Sequence, residues 1–519
     1  MNVIKDMVVH MHIPSQDLSL LTDHIDRVEV IKDDGEEAEV IVYWGLPEMQ
    51  RLVRMYGDAP SPMEKHYDWP GLYKPFAHQI VTASFLALRD RAFCFNEAGT
   101  GKTSSVIWAA DYLMNQGLVK RVLVICPLSI MYSAWQADIF KTAMHRTVGV
   151  AYGDTTRRKK VIAGEYEFVV VNFDGVSTVA EDISKVGFDL IVIDEANAYK
   201  TVSTKRWKTL AKLLTPSTRL WMLTGTPASQ SPLDAFGLAK LINPGAIPKF
   251  FGPWRDRVMH QVSKFKWVPK ATAKADVHRA LQPAIRFEKA DCLDLPEVVY
   301  QTRHVPPTAQ VNRYYRILRD QLLMEAAGEQ ISAVNAAAKL SKLLQISGGA
   351  VYADNKEIIE FDVSPRLNML MEVIDETTNK VLVFVPFRHT IDLVGKFLNE
   401  QGVVNEVING DVTASNRSDI INRFQTQTNP RVLIIQPQAA SHGVTLTAAD
   451  TVVFWSPVMS VETYLQCIAR IDRVGQKNSM TVVHLQGSEI ENKIYTMLRG
   501  KVNMHQGLVD LYKQELGIK

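Results

Sequence analysis

Short apolar runs recur along the chain, separated by longer stretches in which apolar residues return every three or four positions. VLVIC (122–126), FVVVN (168–172), DLIVID (189–194) and LWMLT (220–224) form one set. Runs that are apolar at nearly every position predict strands covered on both faces, hence a parallel sheet. Their alternation with helical stretches predicts βαβ units. A second set follows: VLVFVP (381–386), NEVIN (405–409), VLIIQP (432–437), TVVFWS (451–456) and TVVHLQ (481–486). Two sets predict two α/β lobes. Between them, residues 245–375 read as mostly helical and basic. Within that stretch, residues 331–352 form an amphipathic pattern closed by Gly348-Gly349, which predicts a packing helix. Ahead of the first set, the run Val40 to Trp44 and then Pro60, Pro62 and Pro70 predict a small domain and a linker. The expected division is an acidic N-terminal domain (1–70), a first lobe (71–245), a helical protrusion and linker (246–360), a second lobe (361–495) and a bracing C-terminal helix (496–519).

The 519-residue chain is 46% apolar and 22% charged, which excludes disordered and collagen-like classes. Its four cysteines lie far apart with no C-x-x-C pair, which argues against a zinc site or a disulfide framework. No run of about 18 apolar residues and no signal-like start is present, so no membrane span is expected. A reducing, cytoplasmic location follows as an expectation. The net charge of +2 is unevenly spread. Residues 1–70 hold 6 basic and 14 acidic side chains, net −8, whereas 249–289 hold 10 and 3, net +7. This asymmetry points to a polyanion partner for the body, against the plainer alternative of a solvated basic face. The acidic N-terminal domain is not expected to bind DNA. It could engage a protein partner, mimic DNA, or simply cap the first lobe.

NEAGTGKT (96–103) ends like a phosphate loop, with Asn96 standing where the full G-x-x-x-x-G-K-S/T pattern has its first glycine. Glycines at Gly99 and Gly101 let main-chain N–H groups face phosphate oxygens, and a helix N-terminus follows. Lys102 is the candidate for the β/γ-phosphates and Thr103 for Mg²⁺. A chance glycine-rich turn is the competing reading. DLIVIDEAN then places Asp194 and Glu195 at the end of a buried strand, where ligands of open α/β sheets bind. Asp194 suits a Mg²⁺-bound water and Glu195 the attacking water. Arg470 and Arg473 are spaced for one helical face and could stabilise γ-phosphate charge, although two helical arginines are more often just solvated.

The ordered set resembles helicase superfamily two, and within it the Swi/Snf-type ATPases. KPFAHQ (74–79) resembles the adenine-reading glutamine motif through Gln79, and NEAGTGKT resembles motif I. LVICPLSIMYSAW (123–135), ending in Trp135, resembles motif Ia; DEAN (194–197) resembles motif II; LTGTPAS (223–229) resembles motif III. RFEKADCLDLPEVV (286–299) resembles the family's inter-lobe segment, VLVFVPF (381–387) motif IV, QAASHGVTLTAADTVVFW (438–455) motif V and QCIARIDRVGQ (466–476) motif VI. The resemblance covers roughly residues 71–495, and the compact size is similar to bacterial and bacteriophage members. Asn197 and Asp472 stand where the family usually has histidines, at positions that couple nucleotide state to nucleic-acid grip.

The resemblance implies two RecA-like parallel-sheet lobes with a helical insertion between them and a small N-terminal domain. It implies a DNA-dependent ATPase using ATP and Mg²⁺, with Lys102, Asp194, Glu195, Arg470 and Arg473 as catalytic residues. Gln79, Gly99, Thr100, Gly101, Lys102, Thr103, Asp194, Gly443 and Asp450 would hold nucleotide, and Asn197, Thr224 and Thr226 would couple. Ser129, Ser441, Lys264, Lys266 and Lys270 are candidates for duplex DNA contacts. The interleaved Phe250, Phe251, Trp254, Phe265 and Trp267 are expected to form a local core. The leading expectation is a double-stranded DNA translocase. The alternatives are a strand-separating or fork-remodelling helicase and, from another class, a DNA-binding clamp that does not hydrolyse ATP.

Overall fold

The computed structural model describes residues 1–500 apart from Thr226 and residues 229–230, 264–265, 293–294, 327–332, 353–357 and 441–443. The chain divides into two units, Met1–Ala228 with Pro232–Cys292, and the part from Leu293 onward.

The first unit opens with an antiparallel sheet of β1 (Asn2–Ile4), β2 (Val8–Pro14), β3 (Val28–Asp33) and β4 (Glu37–Tyr43), in the order β1-β2-β4-β3. Strict alternation makes it two-faced: Val9, Met11 and Ile13 are buried beside Ala38, Val40 and Val42. Helix Leu46–Tyr56 turns Leu46, Met49, Leu52 and Val53 into the same hydrophobic cluster as helices Ala77–Ala87 and Lys102–Asn115. Gln50 Nε2 donates to Ala87 O at 2.7 Å, tying the small sheet's helix to the one that carries Gln79.

Six further strands are β5 (Arg91–Cys94), β6 (Val122–Cys126), β7 (Val148–Ala151), β8 (Phe168–Asn172), β9 (Leu190–Asp194) and β10 (Arg219–Leu223). A hairpin, β11 (Met259–Ser263) and β12 (Lys266–Pro269), precedes the short β13 (Ala284–Ile285). The main sheet runs β13-β5-β10-β9-β6-β8-β7, and every neighbouring pair is parallel. All residues of β6 and β8 are buried, as apolar runs covered by helices on both faces require.

The second unit contains β14 (Val298–His304), the hairpin β15 (Ala350–Tyr352) and β16 (Ile358–Glu360), then β17 (Lys380–Phe384), β18 (Asn405–Ile408), β19 (Val432–Ile435), β20 (Ala449–Phe454) and β21 (Met480–Gln486). Its main sheet has the order β14-β21-β20-β17-β19-β18 and is parallel throughout. Each unit is thus a parallel α/β sheet, the fold class expected.

The stretch between residues 246 and 360 is not helical throughout. It holds helices Phe251–Val258, Ala273–Ala280, Lys289–Cys292, Ala309–Ala326 and Ala333–Gly348, but also β11 to β16. β13 completes the first sheet and β14 pairs with β21 over seven positions. Both are sheet-edge strands with little buried surface, so their apolar signal is weak. No helix among the described residues is long and apolar enough to cross a membrane. Residues 501–519, most of the expected bracing helix, lie outside the described residues.

Candidate nucleotide site

Register decides which loops meet. Leu223 of β10 is level with Cys94 of β5 on one side and with Asp194 of β9 on the other. Ile125 of β6 is level with Ile193. Because the strands are parallel, four segments leave the same sheet edge side by side: the glycine loop after β5, LTG after β10, DEAN after β9 and PLSI after β6. This is the carboxyl edge, where ligands of such sheets bind.

The glycine loop has the shape its sequence demands. Gly99 and Gly101 have φ of +89° and +78°, a region that glycine enters without strain. A Cβ at Gly101 would meet Gln79 Nε2 at 2.0 Å. Helix Lys102–Asn115 starts directly after it. Lys102 Nζ donates to Asn96 O at 2.7 Å and to Glu97 O at 3.0 Å, so the ammonium lies within the loop's own curl. Thr100 is 1% exposed, and its hydroxyl donates to Glu97 O at 2.9 Å, so its side chain serves the loop. Thr103 occupies the first turn of the helix, half-buried.

Gln79 links this loop to its own helix start. Its Oε1 accepts from Phe76 N at 2.9 Å, and its Nε2 donates to Thr100 O and Gly101 O at 3.3 and 3.4 Å. His78, which sequence reasoning passed over, donates from Nε2 to Thr100 O at 2.8 Å and is buried. Its one legible signal was adjacency to Gln79. Asn96 is also used: its Nδ2 donates to Thr82 Oγ1 at 2.8 Å, and its Oδ1 accepts from Phe287 N at 3.0 Å. Glu97 completes the tie, its N donating to Phe287 O and its Oε2 accepting from Lys289 N, both at 3.0 Å. A glycine at 96 could make neither side-chain bond.

At the end of β9, two strands from β5, Asp194 Oδ1 accepts from Glu195 N and Oδ2 from Trp135 Nε1, each at 3.0 Å. Glu195 has φ of +53°, uncommon for a residue with a Cβ. Thr224 is buried and its N donates to Cys94 O at 3.0 Å; the following Gly225 packs against the glycine loop, where a Cβ would lie 3.5 Å from Asn96 O. Asn197 sits in the short 3-10 helix Ala196–Tyr199. Burial pushes the Cys94 thiol up to about 11 against the opposing pull of Lys102, so it stays protonated at the loop's base. The donor set fits MgATP: a main-chain cradle with no room for side chains, an ammonium beside it, and a hydroxyl and a carboxylate for an oxygen-ligated cation.

Several expectations need correction. Arg470 and Arg473 do not share a helical face, because helix Val461–Ile468 ends before them. They lie in the turn that follows and cap that helix: Arg470 Nε donates to Gln466 O at 2.7 Å and Arg473 Nε to Ala469 O at 2.8 Å. Both also reach the motif V segment, Arg470 Nη1 to Val444 O at 3.0 Å and Arg473 Nη1 to Thr445 Oγ1 at 3.1 Å. Arg470 is 2% exposed, whereas Arg473 is half-buried. Asp450 stands at the start of β20, beside Lys380 and Val381, and bonds Asn379 Nδ2 at 2.5 Å. That is the amino edge of the sheet, opposite the edge where ligands bind, so the structure does not group it with nucleotide-binding loops.

Lys270 Nζ donates to Asp256 O at 2.6 Å, capping helix Phe251–Val258. The aromatic cluster is divided: Trp254 is fully buried, Trp267 lies under Arg255 at 4.1 Å, and Phe250 is 67% exposed. Ser129 is half-buried in the 3-10 turn Leu128–Ile130. Asp472 lies in the same turn as the two arginines. Thr226, Gly443, Ser441, Lys264 and Phe265 lie outside the described residues, as does the side chain of Lys266.

Residues 78–348 match the model of the SNF2-related domain, and residues 365–475 match the helicase conserved C-terminal domain. Among curated relatives, putative protein p41 of Acyrthosiphon pisum secondary endosymbiont phage 1 is 24% identical over 84% of this chain and 97% of its own length. The mouse chromodomain-helicase-DNA-binding protein 1-like is 24% identical over 80% of this chain. An uncharacterized ATP-dependent helicase of Mycoplasma genitalium is 24% identical over 77% of it. The chain spans only 47% and 38% of the latter two. A solved Sulfolobus solfataricus SWI2/SNF2 ATPase core in complex with dsDNA is 21% identical, with 83% of this chain and 92% of that one covered and a TM-score of 0.42. The first family match alone takes in more than half of the residues, so the chain belongs to the SNF2-related family of helicase superfamily two, whose members hydrolyse ATP.

Proposed function

We propose that the protein is a motor that hydrolyses ATP to move along double-stranded DNA. The observation that carries this reading is the register that brings the glycine loop, LTG, DEAN and PLSI to one sheet edge. When bound, Mg²⁺ supplies charge that offsets the transferring phosphate. Main-chain N–H groups of Gly99, Thr100 and Gly101 would surround the phosphates, with Lys102 leaving its loop carbonyls to join them. Thr103 and Asp194 would hold the cation, Asp194 through water, and Glu195 would orient the attacking water. Gln79 would read the adenine.

In the proposed cycle the second lobe contributes charge stabilisation, and closure of the two lobes followed by reopening advances the DNA. Arg473, the more exposed arginine, suits contact with the γ-phosphate. Arg470, buried against Val444, suits holding motif V for that step. Thr224, Thr226 and Asn197 would couple the two events. Residues 71–245 and 361–495 act as motor lobes in this scheme, 246–360 as connector, 1–70 as a cap and 496–519 as a brace. DNA contacts would go mainly to phosphates, tolerant of sequence and sensitive to salt.

The test is ATP hydrolysis without nucleic acid and with single-stranded DNA, duplex DNA or RNA, with Glu195→Gln as control. Stimulation by duplex DNA that vanishes in the variant supports the motor, and triplex displacement then reports tracking. Stimulation by single strands alone, with strand displacement, would favour a helicase. Nucleotide binding without hydrolysis would favour a clamp.

A further inference from the structure

Motif Ia leaves β6 through a 3-10 turn, Leu128–Ile130, and then enters a π-helical turn, Met131–Gln136. π turns are rare and often occur at functional sites. This one carries Trp135, which is fully buried. A buried indole N–H usually finds an acceptor. Among the described residues, the indoles of Trp44, Trp108, Trp207, Trp221 and Trp455 donate to main-chain carbonyls, as structural tryptophans commonly do. The Trp135 indole instead donates to a side-chain carboxylate, Asp194 Oδ2, at 3.0 Å. The other oxygen, Oδ1, accepts from Glu195 N at 3.0 Å. One bond is local to DEAN; the other comes from a different strand's loop.

We infer that Trp135 is a positioning residue for the cation-holding carboxylate Asp194. This rests on the reading of Asp194 given above. A carboxylate on a strand end can rotate about its χ angles, and the two N–H donors fix its plane. An ionised carboxylate oxygen accepts more than one hydrogen bond, so an N–H donor on it is compatible with a cation-bound water. Partners of this kind around metal ligands change metal affinity or activity by about 10–100-fold when removed. The indole also joins the π turn, which directly follows the 3-10 turn of Ser129, to Asp194, so movement of motif Ia would reorient that carboxylate.

Trp135→Phe removes the donor and keeps an aromatic ring. Trp221→Phe is the control, since Trp221 is equally buried but donates to Arg89 O. Binding of a fluorescent ATP analogue is measured with Mg²⁺ and with EDTA. The expected result is that Trp135→Phe loses about 10–100-fold of the affinity gained from Mg²⁺, with its EDTA affinity unchanged. The Mg²⁺ concentration for half-maximal hydrolysis should rise in parallel, and Trp221→Phe should alter neither. A Mg²⁺ response in Trp135→Phe equal to that of Trp221→Phe would overturn the inference. If the phenylalanine unfolds the lobe, the wild type still decides: its Trp135 indole N–H resonance should shift when Mg²⁺ joins bound ATP, and an unmoved resonance counts against the role. Absence of any Mg²⁺-dependent binding in the wild type would instead sink the reading of the site itself.

Discussion

The main-chain N–H of Phe287 donates to Asn96 Oδ1 at 3.0 Å, so the chain leaving the first unit is pinned to the glycine loop. The same asparagine donates to Thr82 Oγ1, and its carbonyl receives Lys102 Nζ. Asn96→Ala takes one partner from the half-buried Phe287 N–H and one from the buried Thr82 hydroxyl, which costs about 1–3 kcal/mol. Urea unfolding monitored by tryptophan fluorescence should show that loss. A stability equal to wild type would mean that water replaces both bonds.

Glu195 is held with φ of +53°, a conformation that costs about 1–3 kcal/mol for a residue with a Cβ. Glu195→Gly should therefore raise the melting temperature while abolishing hydrolysis. Differential scanning calorimetry and a phosphate-release assay on one preparation check both. A destabilised glycine variant would show that the carboxylate's contacts outweigh the strain.

The two arginines of the turn after helix Val461–Ile468 should behave differently. Arg473→Ala is expected to lower kcat about a thousandfold, with the melting temperature near wild type. Arg470→Ala, which removes a buried side chain bonded to Gln466 O and Val444 O, should lower stability as well as activity. Paired thermal melts and steady-state kinetics separate the two, and equal melting temperatures would argue against the division of roles.

Arg366 and Glu491 form a buried ion pair in the second unit, in which Arg366 Nη2 donates to both carboxylate oxygens, at 3.0 and 2.9 Å. Arg366 Nη1 also donates to Trp455 O, and Glu491 Oε2 accepts from Ser488 N at 2.9 Å. Glu491→Leu strands the guanidinium and should cost about 3–5 kcal/mol. Arg366→Met combined with Glu491→Leu should recover much of that loss. Additive losses in a denaturation cycle would contradict this coupling.

His484 is buried, stacked on Tyr495 at 4.2 Å, with Nε2 2.9 Å from the Tyr464 hydroxyl. Burial pulls its imidazole from about 6.5 down to about 3. The unfolded chain therefore binds the extra proton, and stability falls as pH drops from about 6.5 toward 3. The slope reaches about 1.4 kcal/mol per pH unit. His484→Phe should flatten the denaturation midpoint between pH 6.5 and 5; an unchanged slope would assign that dependence to other groups.

The loops of the candidate site were legible because they follow buried apolar runs and because Gly99, Gly101, Lys102, Asp194 and Glu195 must have their residue types. Arg470 and Arg473 were misread, since a spacing of three fits a turn as well as a helix. Only one strand-like run was read in the first 70 residues. β2 alternates apolar residues with His10 and His12, the pattern of a half-buried strand, whereas five of the six residues of β3 are exposed, so β3 carries little burial signal. Lys270 reads in sequence as a candidate DNA contact, while in the structure its amine caps a helix.

By itself the sequence determined two parallel sheets, the family and the residue types of the nucleotide loops, because strand burial and phosphate binding constrain residues locally. Only the tertiary structure decided that Cys94, Leu223 and Asp194 stand level, that Asp450 faces the other edge, and that Trp135 meets Asp194. Those are contacts between segments up to 129 residues apart, Cys94 and Leu223. Strand register and hydrogen-bond geometry set them, and neither leaves a periodic mark on the chain.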